Sequence, residues 1–366
     1  MHKNQGPVYY NDYLKLDSFL DCQNPLSLKH ASDETPESHD ETLFIVVHQS
    51  YELWFKQILH DLNSVLKIFS KPKVADSDFG FINQRLGRIT KIQDMLLTHL
   101  GILETMTPMD FLEFRSLLVP ASGFQSTQFR EIEIKLGLNT NSRESVDREF
   151  FMGRLTEKDR EKLTALENTP SLLRLVEAWL ERTPFTVTSG FNFWEEYKKS
   201  IASLLAEDES TIRKNLANLS ETEKAAQLEN LKTTQNTFNS LFDVEMHTKL
   251  VESGQRKLSQ KAILNALFIL LYRDEPMLTM PFQMMTTMMD IDENFTTWRQ
   301  RHALMAQRML GSKIGTGGSS GHAYLKKAAE TNRVFLDFFN LSTFLIPRSR
   351  LPKIPNEVRK QLNFHA

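Results

Sequence analysis

The most constraining feature of this sequence is a spacing of apolar residues that alternates between four and three positions. In residues 44–69 this spacing places one set of side chains on a single helix face: Phe44, His48, Tyr51, Phe55, Ile58, Leu62, Val65 and Phe69. It matches the turn of an α-helix that buries one face in a core. The same spacing recurs in residues 82–103 and 288–309. Because sustained two-residue alternation is missing, we predict an all-α fold of about a dozen helices.

Capping patterns indicate where two of the helices begin. Ser38, followed three positions later by Glu41, has the spacing of a capping box ahead of the first long helix. Thr107, Pro108 and Asp110 place a cap, a first-turn proline and an early acid in the preferred order. We therefore expect one helix to follow Ser38 and another to follow Thr107.

The domain organisation is expected to be simple. The thirteen prolines fall mainly at helix edges, and no repeat or low-complexity tract divides the chain. We predict a single large helical domain over residues 1–366, with peripheral helices in residues 205–258. Residues 1–20 carry Tyr10, Tyr13 and Leu14 but are too short to fold alone, so this segment is expected to dock on another element.

Charge and cysteine content exclude several classes of protein. The chain has 44 basic and 46 acidic residues, so it shows no electrostatic footprint for nucleic acid or an anionic membrane. Its one cysteine excludes an internal disulfide, a CxxC redox pair and a CxxCH haem attachment. The first twenty residues lack the pattern of a signal peptide, and the longest apolar run, 262–272, is shorter than the roughly 20 residues of a membrane span. We expect a cytoplasmic protein.

Two histidines stand where the helical spacing favours apolar residues. His48 lies in the first stripe, and His302 lies in the stripe that contains Trp298. Either could be a core imidazole that is hydrogen-bonded to the backbone and has no further role. Two imidazoles that approach an apolar pocket from opposite sides would instead suit haem. Zinc is disfavoured, because no HExxH or Cys/His spacing supplies three or four clustered ligands.

Arg115 and a glycine-rich segment are the other unusual features. Arg115 shares a helix face with Phe111 and Leu118. Its guanidinium either extends to water or, if buried, needs an anionic partner such as a ligand carboxylate. Residues 311–321 hold five of the fourteen glycines and lack the GK[ST] ending of a phosphate-binding loop. This segment is either a flexible linker or a lid over a substrate.

Eight segments spread over nearly the whole chain form a specific series. They are YNDYLKLD (10–17), HDETLFIVVHQSYELWFKQIL (39–59), ILETMTPMDFLEFRSLLVPASGFQSTQFR (102–130), RTPF…SGFNFW (182–194), YRDEP (272–276), MDID…WRQRH (289–302), GTGGSSG (315–321) and FFNLSTFLIPR (338–348). In this order and at these spacings, they resemble the tryptophan 2,3-dioxygenase family. The resemblance implies an all-helical haem enzyme that assembles as a homotetramer, a dimer of dimers. Such an enzyme inserts both atoms of O2 across the indole C2–C3 bond of L-tryptophan and forms N-formyl-L-kynurenine, the first step of the kynurenine pathway.

The resemblance also implies roles for individual residues. His302 would be the axial iron ligand of one non-covalently bound haem b per subunit, with Trp298, Ser122 and Gly123 close to that haem. His48 would be the catalytic residue on the opposite side, as a base or as a hydrogen-bond partner of the indole N–H. The substrate-binding residues implied are Phe44, Ile45, Val46, Val47, His48, Phe111, Arg115 and Thr316, together with Tyr10, Tyr13 and Leu14 from a neighbouring subunit.

Two rival functions stay open on the sequence. One is a related haem enzyme that adds a single oxygen atom to another indole or aromatic amino acid. The other is a helical haem-binding sensor without catalysis. Arg115, Thr316 and the glycine-rich lid argue against a first rival whose substrate lacks the amino-acid end, and residues that bind a substrate have no purpose in the second.

Overall fold

A computed structural model describes residues 6–33, 36–138, 152–184, 186–188, 191–215, 219–311, 313 and 322–362. These residues are almost entirely helical. In chain order the helices are α1 (Tyr10–Leu14), α2 (Leu16–Leu20), α3 (Leu26–Lys29), α4 (His39–Phe69), α5 (Asp78–Leu103), α6 (Pro108–Arg115), α7 (Thr127–Leu136), α8 (Glu157–Glu167), α9 (Leu172–Leu180), α10 (Phe193–Asn215), α11 (Glu221–Asn239), α12 (Val244–Glu252), α13 (Gln260–Leu271), α14 (Pro276–Leu310), α15 (His322–Thr331), α16 (Leu336–Asn340) and α17 (Asn356–Leu362).

The helical content confirms the all-α prediction. In the described part of the chain, the only strands are β1 (Val187–Thr188) and β2 (Phe191–Asn192), which form one short antiparallel pair. About a dozen of the helices are eight residues or longer, and the remaining ones have four to seven residues, too few for periodicity to detect. None of the helices in the described residues is long and apolar enough to cross a membrane.

One of the two predicted helix starts has the expected cap. At the start of α6, the Thr107 hydroxyl accepts from the Asp110 N–H, and the Asp110 carboxylate accepts from the Thr107 N–H. The capping box predicted at Ser38 is wrong, because the Ser38 side chain makes no cap hydrogen bond. Glu41 instead accepts from the backbone N–H groups of Leu26 and Ser27, both at 2.8 Å. Glu41 therefore caps the start of α3, and the Ser38 N–H, which Glu41 would bind in a capping box, donates to the Ser27 hydroxyl at 3.1 Å.

Three long helices form the centre of the fold. Helix α14 packs along α5, and α5 packs along α4, so α5 supports both of the helices that carry the candidate histidines. The apolar stripe of α4 is buried from Tyr51 to Phe69, and Ile58, Leu62 and Val65 are wholly inaccessible. Burial of each such side chain contributes about 1.5–3 kcal/mol to folding. This packing holds the N-terminal half of α4 and the C-terminal half of α14 on either side of one cavity.

The regions far from this centre are less buried. Helix α11 has one buried residue, Leu231, and α1 has none. Helix α10 differs along its length, since Phe193, Trp194 and Tyr197 at its start are buried in the core. Its later residues are mostly exposed. The helical segments between residues 205 and 258 therefore add little to the core that positions the cavity.

Candidate active site

A cavity of about 320 Å³ lies between α4, α6, α7, α14 and α15. Its volume is in the range of small-molecule and cofactor sites, which are typically about 300–1,000 Å³. Most of the lining is aromatic or aliphatic, with Phe44 and Phe111 on one side and Trp298 and Met305 on another. Such a lining favours a flat, largely apolar ligand.

Both candidate histidines line this cavity, one from α4 and the other from α14. The Nδ1 atom of His48 lies 2.7 Å from the backbone oxygen of Phe44, one turn earlier in α4. The ring of Phe44 lies beside that of His48, with 4.1 Å between their centroids. The ring of His302 has no hydrogen-bond partner within the described ranges, and it stacks on Trp298 at 5.1 Å and 19°. Of these two imidazoles, only that of His302 has neither ring nitrogen in a hydrogen bond with the described residues.

Both imidazoles are neutral at neutral pH. Burial, together with repulsion from the nearby His48, lowers the pKa of His302 to about 4. Burial also lowers the pKa of His48, although the Phe44 carbonyl and Glu52 oppose this effect. Part of the His48 ring is accessible, since it lines the cavity, but protein atoms surround the rest. A neutral imidazole carries the lone pair that a metal ion or a hydrogen-bond donor requires.

A hydrogen-bonded pair of aromatic residues connects the two histidine helices. The Tyr51 hydroxyl of α4 donates to the Leu96 backbone oxygen at 2.6 Å, and it accepts from Trp298 Nε1 at 3.3 Å. Burial raises the pKa of Tyr51 to about 12, so its hydroxyl stays neutral. Tyr51 follows His48 by three residues, and Trp298 precedes His302 by four. This contact therefore fixes the two cavity walls relative to each other close to both imidazoles.

The predicted residues of the 44–48 segment divide into two groups. Phe44, Val47 and His48 line the cavity, whereas Ile45 and Val46 do not, and Val46 is 44% exposed. Only residues three or four positions apart share a face of an α-helix. Helix α4 therefore presents three of the five predicted side chains to the cavity, and not all five.

The other predicted residues lie at different distances from the cavity. Ser122 and Gly123 are part of its lining, and Ser122 caps the 3-10 turn 123–125. Phe111 lines it and stacks on Phe44, with 5.9 Å between ring centroids. Arg115 is half-buried at the end of α6, one turn beyond Phe111. It is not among the lining residues in the described part of the chain. Thr316 and most of the glycine-rich segment lie outside the described residues.

The predicted N-terminal residues lie on the surface of this single chain. Tyr10 and Tyr13 are 73% and 75% exposed, and Leu14 is 41% exposed. Helix α1, which carries them, contributes no residue to the cavity lining within the described ranges. Exposure of several large apolar residues in one short helix is typical of a segment that contacts another protein surface.

Sequence reasoning missed a charged group in the cavity wall. Arg130, Glu133 and Arg299 line the cavity with side chains that are 9%, 2% and 8% exposed. Glu133 pairs with both arginines, at 2.6 Å to Arg130 and 2.8 Å to Arg299. In sequence, α7 is rich in charges and resembles a solvated helix face. The sequence contains one signal, namely that Ile132 and Leu136 are apolar and four positions apart. Both are buried, so this part of α7 faces the core.

Comparison with known proteins identifies the family. A sequence model described as tryptophan 2,3-dioxygenase matches residues 1–345. A protein named tryptophan 2,3-dioxygenase from Alteromonas mediterranea is 49% identical over 365 residues, which are 100% of this chain and 99% of that protein. The protein of that name from Bdellovibrio bacteriovorus is 48% identical over 98% of this chain and 99% of its own length. The one from Dictyostelium discoideum is 45% identical, over 98% of this chain and 89% of its own length. The chain therefore belongs to the tryptophan 2,3-dioxygenase family.

Proposed function

We propose that this chain catalyses the addition of both atoms of O2 across the indole C2–C3 bond of L-tryptophan and releases N-formyl-L-kynurenine, the first step of the kynurenine pathway. Family membership over the whole chain supports the reaction. One observation supports the location, namely that two neutral imidazoles from different helices face a single, largely aromatic cavity. The proposed active site is this cavity.

Enzymes of this family depend on haem, and the residues of the cavity fit such a group. The lining is mostly apolar, as a porphyrin face requires, and the flat ring of Trp298 lies in it. The uncommitted His302 ring is the only imidazole in the described lining that has no hydrogen bond. Because it stands in the family's WRQRH motif, His302 would hold the iron of one non-covalently bound haem b per chain. Trp298, Ser122 and Gly123 would flank that haem.

When bound, the haem supplies the iron at which O2 is activated. His48 serves the substrate, and its hydrogen bond to Phe44 indicates how. A backbone oxygen can only accept, so the contact at 2.7 Å requires a proton on His48 Nδ1. The lone pair then resides on Nε2, which can accept a hydrogen bond from the indole N–H or take its proton. The α4 helix therefore holds the imidazole in the tautomer that this role needs.

The aromatic residues and Arg115 would orient the substrate. Phe44 and Phe111 stack on each other in the lining and would exclude water from the indole. Arg115 lies one turn beyond Phe111 on α6, so a substrate that contacts Phe111 would direct its carboxylate towards this guanidinium. Thr316 would contact the carboxylate and ammonium end. These contacts would hold the indole C2–C3 bond within the short distance of O2 that the reaction requires.

We propose that the chain assembles as a homotetramer, a dimer of dimers. The exposed apolar residues of α1 support a contact with another subunit. Tyr10, Tyr13 and Leu14 would dock at the active site of a neighbouring subunit and complete its wall. The chain would act as one domain over residues 1–366, with residues 205–258 as peripheral helices.

The proposal is tested by incubating reduced, haem-loaded protein aerobically with L-tryptophan under ¹⁸O₂. We expect a product with the absorbance of N-formylkynurenine and a mass that contains two labelled atoms. Incorporation of a single labelled atom would indicate a mono-oxygenating relative. A stable haem spectrum with no product would indicate a haem-binding sensor, and either result would overturn the proposal. Protein without added haem is the matched control.

A further inference from the structure

The cavity wall contains a cluster of buried charges that the reaction described above does not use. Arg130 and Glu133 belong to α7, and Arg299 belongs to α14. All three side chains are more than nine-tenths buried, and each lines the cavity. Burial of ionised groups costs free energy unless each is well paired, so such clusters tend to serve a purpose beyond stability.

The hydrogen bonds of Arg299 connect three separate parts of the fold. Its Nη2 donates to Oε1 of Glu133 at 2.8 Å, and its Nη1 donates to the backbone oxygen of Asn332 at 2.8 Å. Its guanidinium also lies over the ring of Phe295, 5.6 Å from the centroid. Oε2 of Glu133 accepts from Arg130 Nη1 at 2.6 Å. The two carboxylate oxygens of Glu133 are thus each bound by a different arginine.

The position of Arg299 on α14 relates this cluster to His302. Residues three positions apart lie on the same side of a helix, and Arg299 precedes His302 by three. A contact that fixes the Arg299 side chain therefore also restrains the rotation of the helix turn that presents His302. Two residues beyond Arg299, Arg301 binds Glu104, the residue that ends α5, at 2.9 Å and the backbone oxygen of Leu97 at 3.0 Å. The turn is held from two sides.

The segment after α15 is attached to the same helix. Besides the bond from Arg299 to Asn332, the Asp292 carboxylate accepts from the N–H groups of Val334 and Phe335 at 2.9 and 3.1 Å. Residues 332–335 are therefore tied to α14 at two levels, and Asn332 itself lines the cavity. Loss of the Glu133–Arg299 pair would remove one of the two hydrogen-bond partners that orient the Arg299 guanidinium and would break this contact between α7 and α14.

We propose that Glu133 is a positioning residue for His302: it holds Arg299, and through Arg299 it fixes the direction in which the His302 imidazole enters the cavity. This inference rests on the proposed function, in which His302 binds iron. Residues that orient a metal ligand without touching the metal ion commonly change its affinity by about 10- to 100-fold when they are replaced. Glu133 is expected to act on the orientation of His302 and not to contact the substrate.

Helix α7 offers a matched control. Glu131 is also buried and also pairs with two cations, Lys135 at 2.8 Å and Lys162 at 2.7 Å. It is not among the cavity-lining residues in the described ranges, and neither of those pairs reaches α14. Glu131→Gln therefore removes the same charge from the same helix without disturbing Arg299.

The experiment compares Glu133→Gln with Glu131→Gln as haem-loaded proteins. Three quantities are measured: the iron–histidine stretching band of the ferrous protein, the rate of haem transfer to apomyoglobin, and the thermal unfolding midpoint. We expect Glu133→Gln to shift or split the band and to speed haem transfer by about 10- to 100-fold. Glu131→Gln should leave both the band and the transfer rate at the wild-type values. Equal unfolding midpoints would show that general destabilisation does not explain the difference.

Arg299→Gln provides a second test if Glu133→Gln fails to fold, because it leaves the Glu133–Arg130 pair intact. It should change the same band in the same way. An unchanged band in a folded Glu133→Gln or Arg299→Gln protein would overturn the positioning role. The His302→Ala protein separates this failure from that of the proposed function. If it keeps its haem, the assignment of His302 is wrong, and if it loses haem while Glu133→Gln behaves as wild type, only the role of Glu133 is wrong.

Discussion

The two walls of the cavity present the same residue in different chemical states. We call them the α4 wall, which carries His48, and the α14 wall, which carries His302. Both histidines occupy an apolar position of the same helical spacing. His48 is hydrogen-bonded to the Phe44 carbonyl, whereas His302 has no such bond within the described residues and stacks on Trp298. His48 keeps one ring nitrogen, Nε2, free of hydrogen bonds with the described residues and His302 keeps both, and in the proposed function the first meets the substrate and the second holds the iron.

The walls also differ in how they are held. Around His302, Arg299 and Arg301 make charged contacts with α7 and α5. Around His48, the neighbouring Gln49 makes neutral hydrogen bonds with Gln23 and the Cys22 backbone oxygen. Charge-assisted hydrogen bonds are roughly twice as strong as neutral ones. The α14 wall is therefore held by ion pairs, whereas the α4 wall is held by side-chain amide donors, one of which is the Gln128 amide that donates to the Glu52 carboxylate at 2.7 Å.

The largest effect is expected on the α14 wall. Replacing His302 with alanine removes the only assigned iron ligand, so His302→Ala should purify largely without haem and without activity. Haem content by the pyridine haemochrome assay and the Soret band are the measurements. Wild-type haem content and turnover in this variant would show that the iron ligand is elsewhere.

On the substrate side, the largest effect is expected at Arg115. Lysine cannot reproduce the fork of a guanidinium on a carboxylate, and a hydrogen bond to a charged group is worth about 1.5–3 kcal/mol, or roughly 10- to 100-fold in affinity. Arg115→Lys should raise KM for tryptophan by that factor and leave the haem spectrum intact. The measurement is kcat/KM for both enzymes.

Tryptamine is the matched control for Arg115, since it keeps the indole and the amine but has no carboxylate. It should be a poor substrate of the wild-type enzyme and lose little more in Arg115→Lys. If the substitution impairs tryptamine as much as tryptophan, Arg115 is structural and does not bind the carboxylate.

Deletion of residues 1–20 should have an intermediate effect on the substrate side. Tyrosine is enriched among the few interface residues that carry most of the binding energy, so removing Tyr10 and Tyr13 should raise KM for tryptophan about tenfold, which corresponds to about 1.4 kcal/mol. The truncated protein should still bind haem, because the core helices and His302 are untouched. An unchanged KM would contradict the proposed contribution of α1 to a neighbouring active site.

The smallest effect is expected at His48. Loss of one hydrogen bond costs about 1 kcal/mol, so His48→Ala should lower kcat/KM about fivefold. The variant should keep its full complement of haem, in contrast to His302→Ala. Loss of haem from His48→Ala would mean that the two walls are assigned the wrong way round.

Apolar spacing predicted the fold because burial of one helix face is a property of the local sequence. Phe44, His48 and Tyr51 could be placed on the inner face of α4, and Thr107 could be placed at the start of α6. Glu41 could not be placed, because its partners, the N–H groups of Leu26 and Ser27, come from a separate helix. The same limit hid Glu133, whose bond to Arg299 spans 166 positions. Contacts between distant charges depend on the packing of the helices, which the local pattern does not contain.

That His302 and not His48 binds the iron is tested most directly by cavity variants of the two histidines. Ferrous, haem-loaded His302→Gly and His48→Gly would be examined by resonance Raman spectroscopy with and without added imidazole. His48→Gly should keep the wild-type iron–histidine stretching band in both conditions. His302→Gly should lack the band until imidazole is added and then regain one. A band that is absent from His48→Gly and unchanged in His302→Gly would contradict the assignment of the two walls.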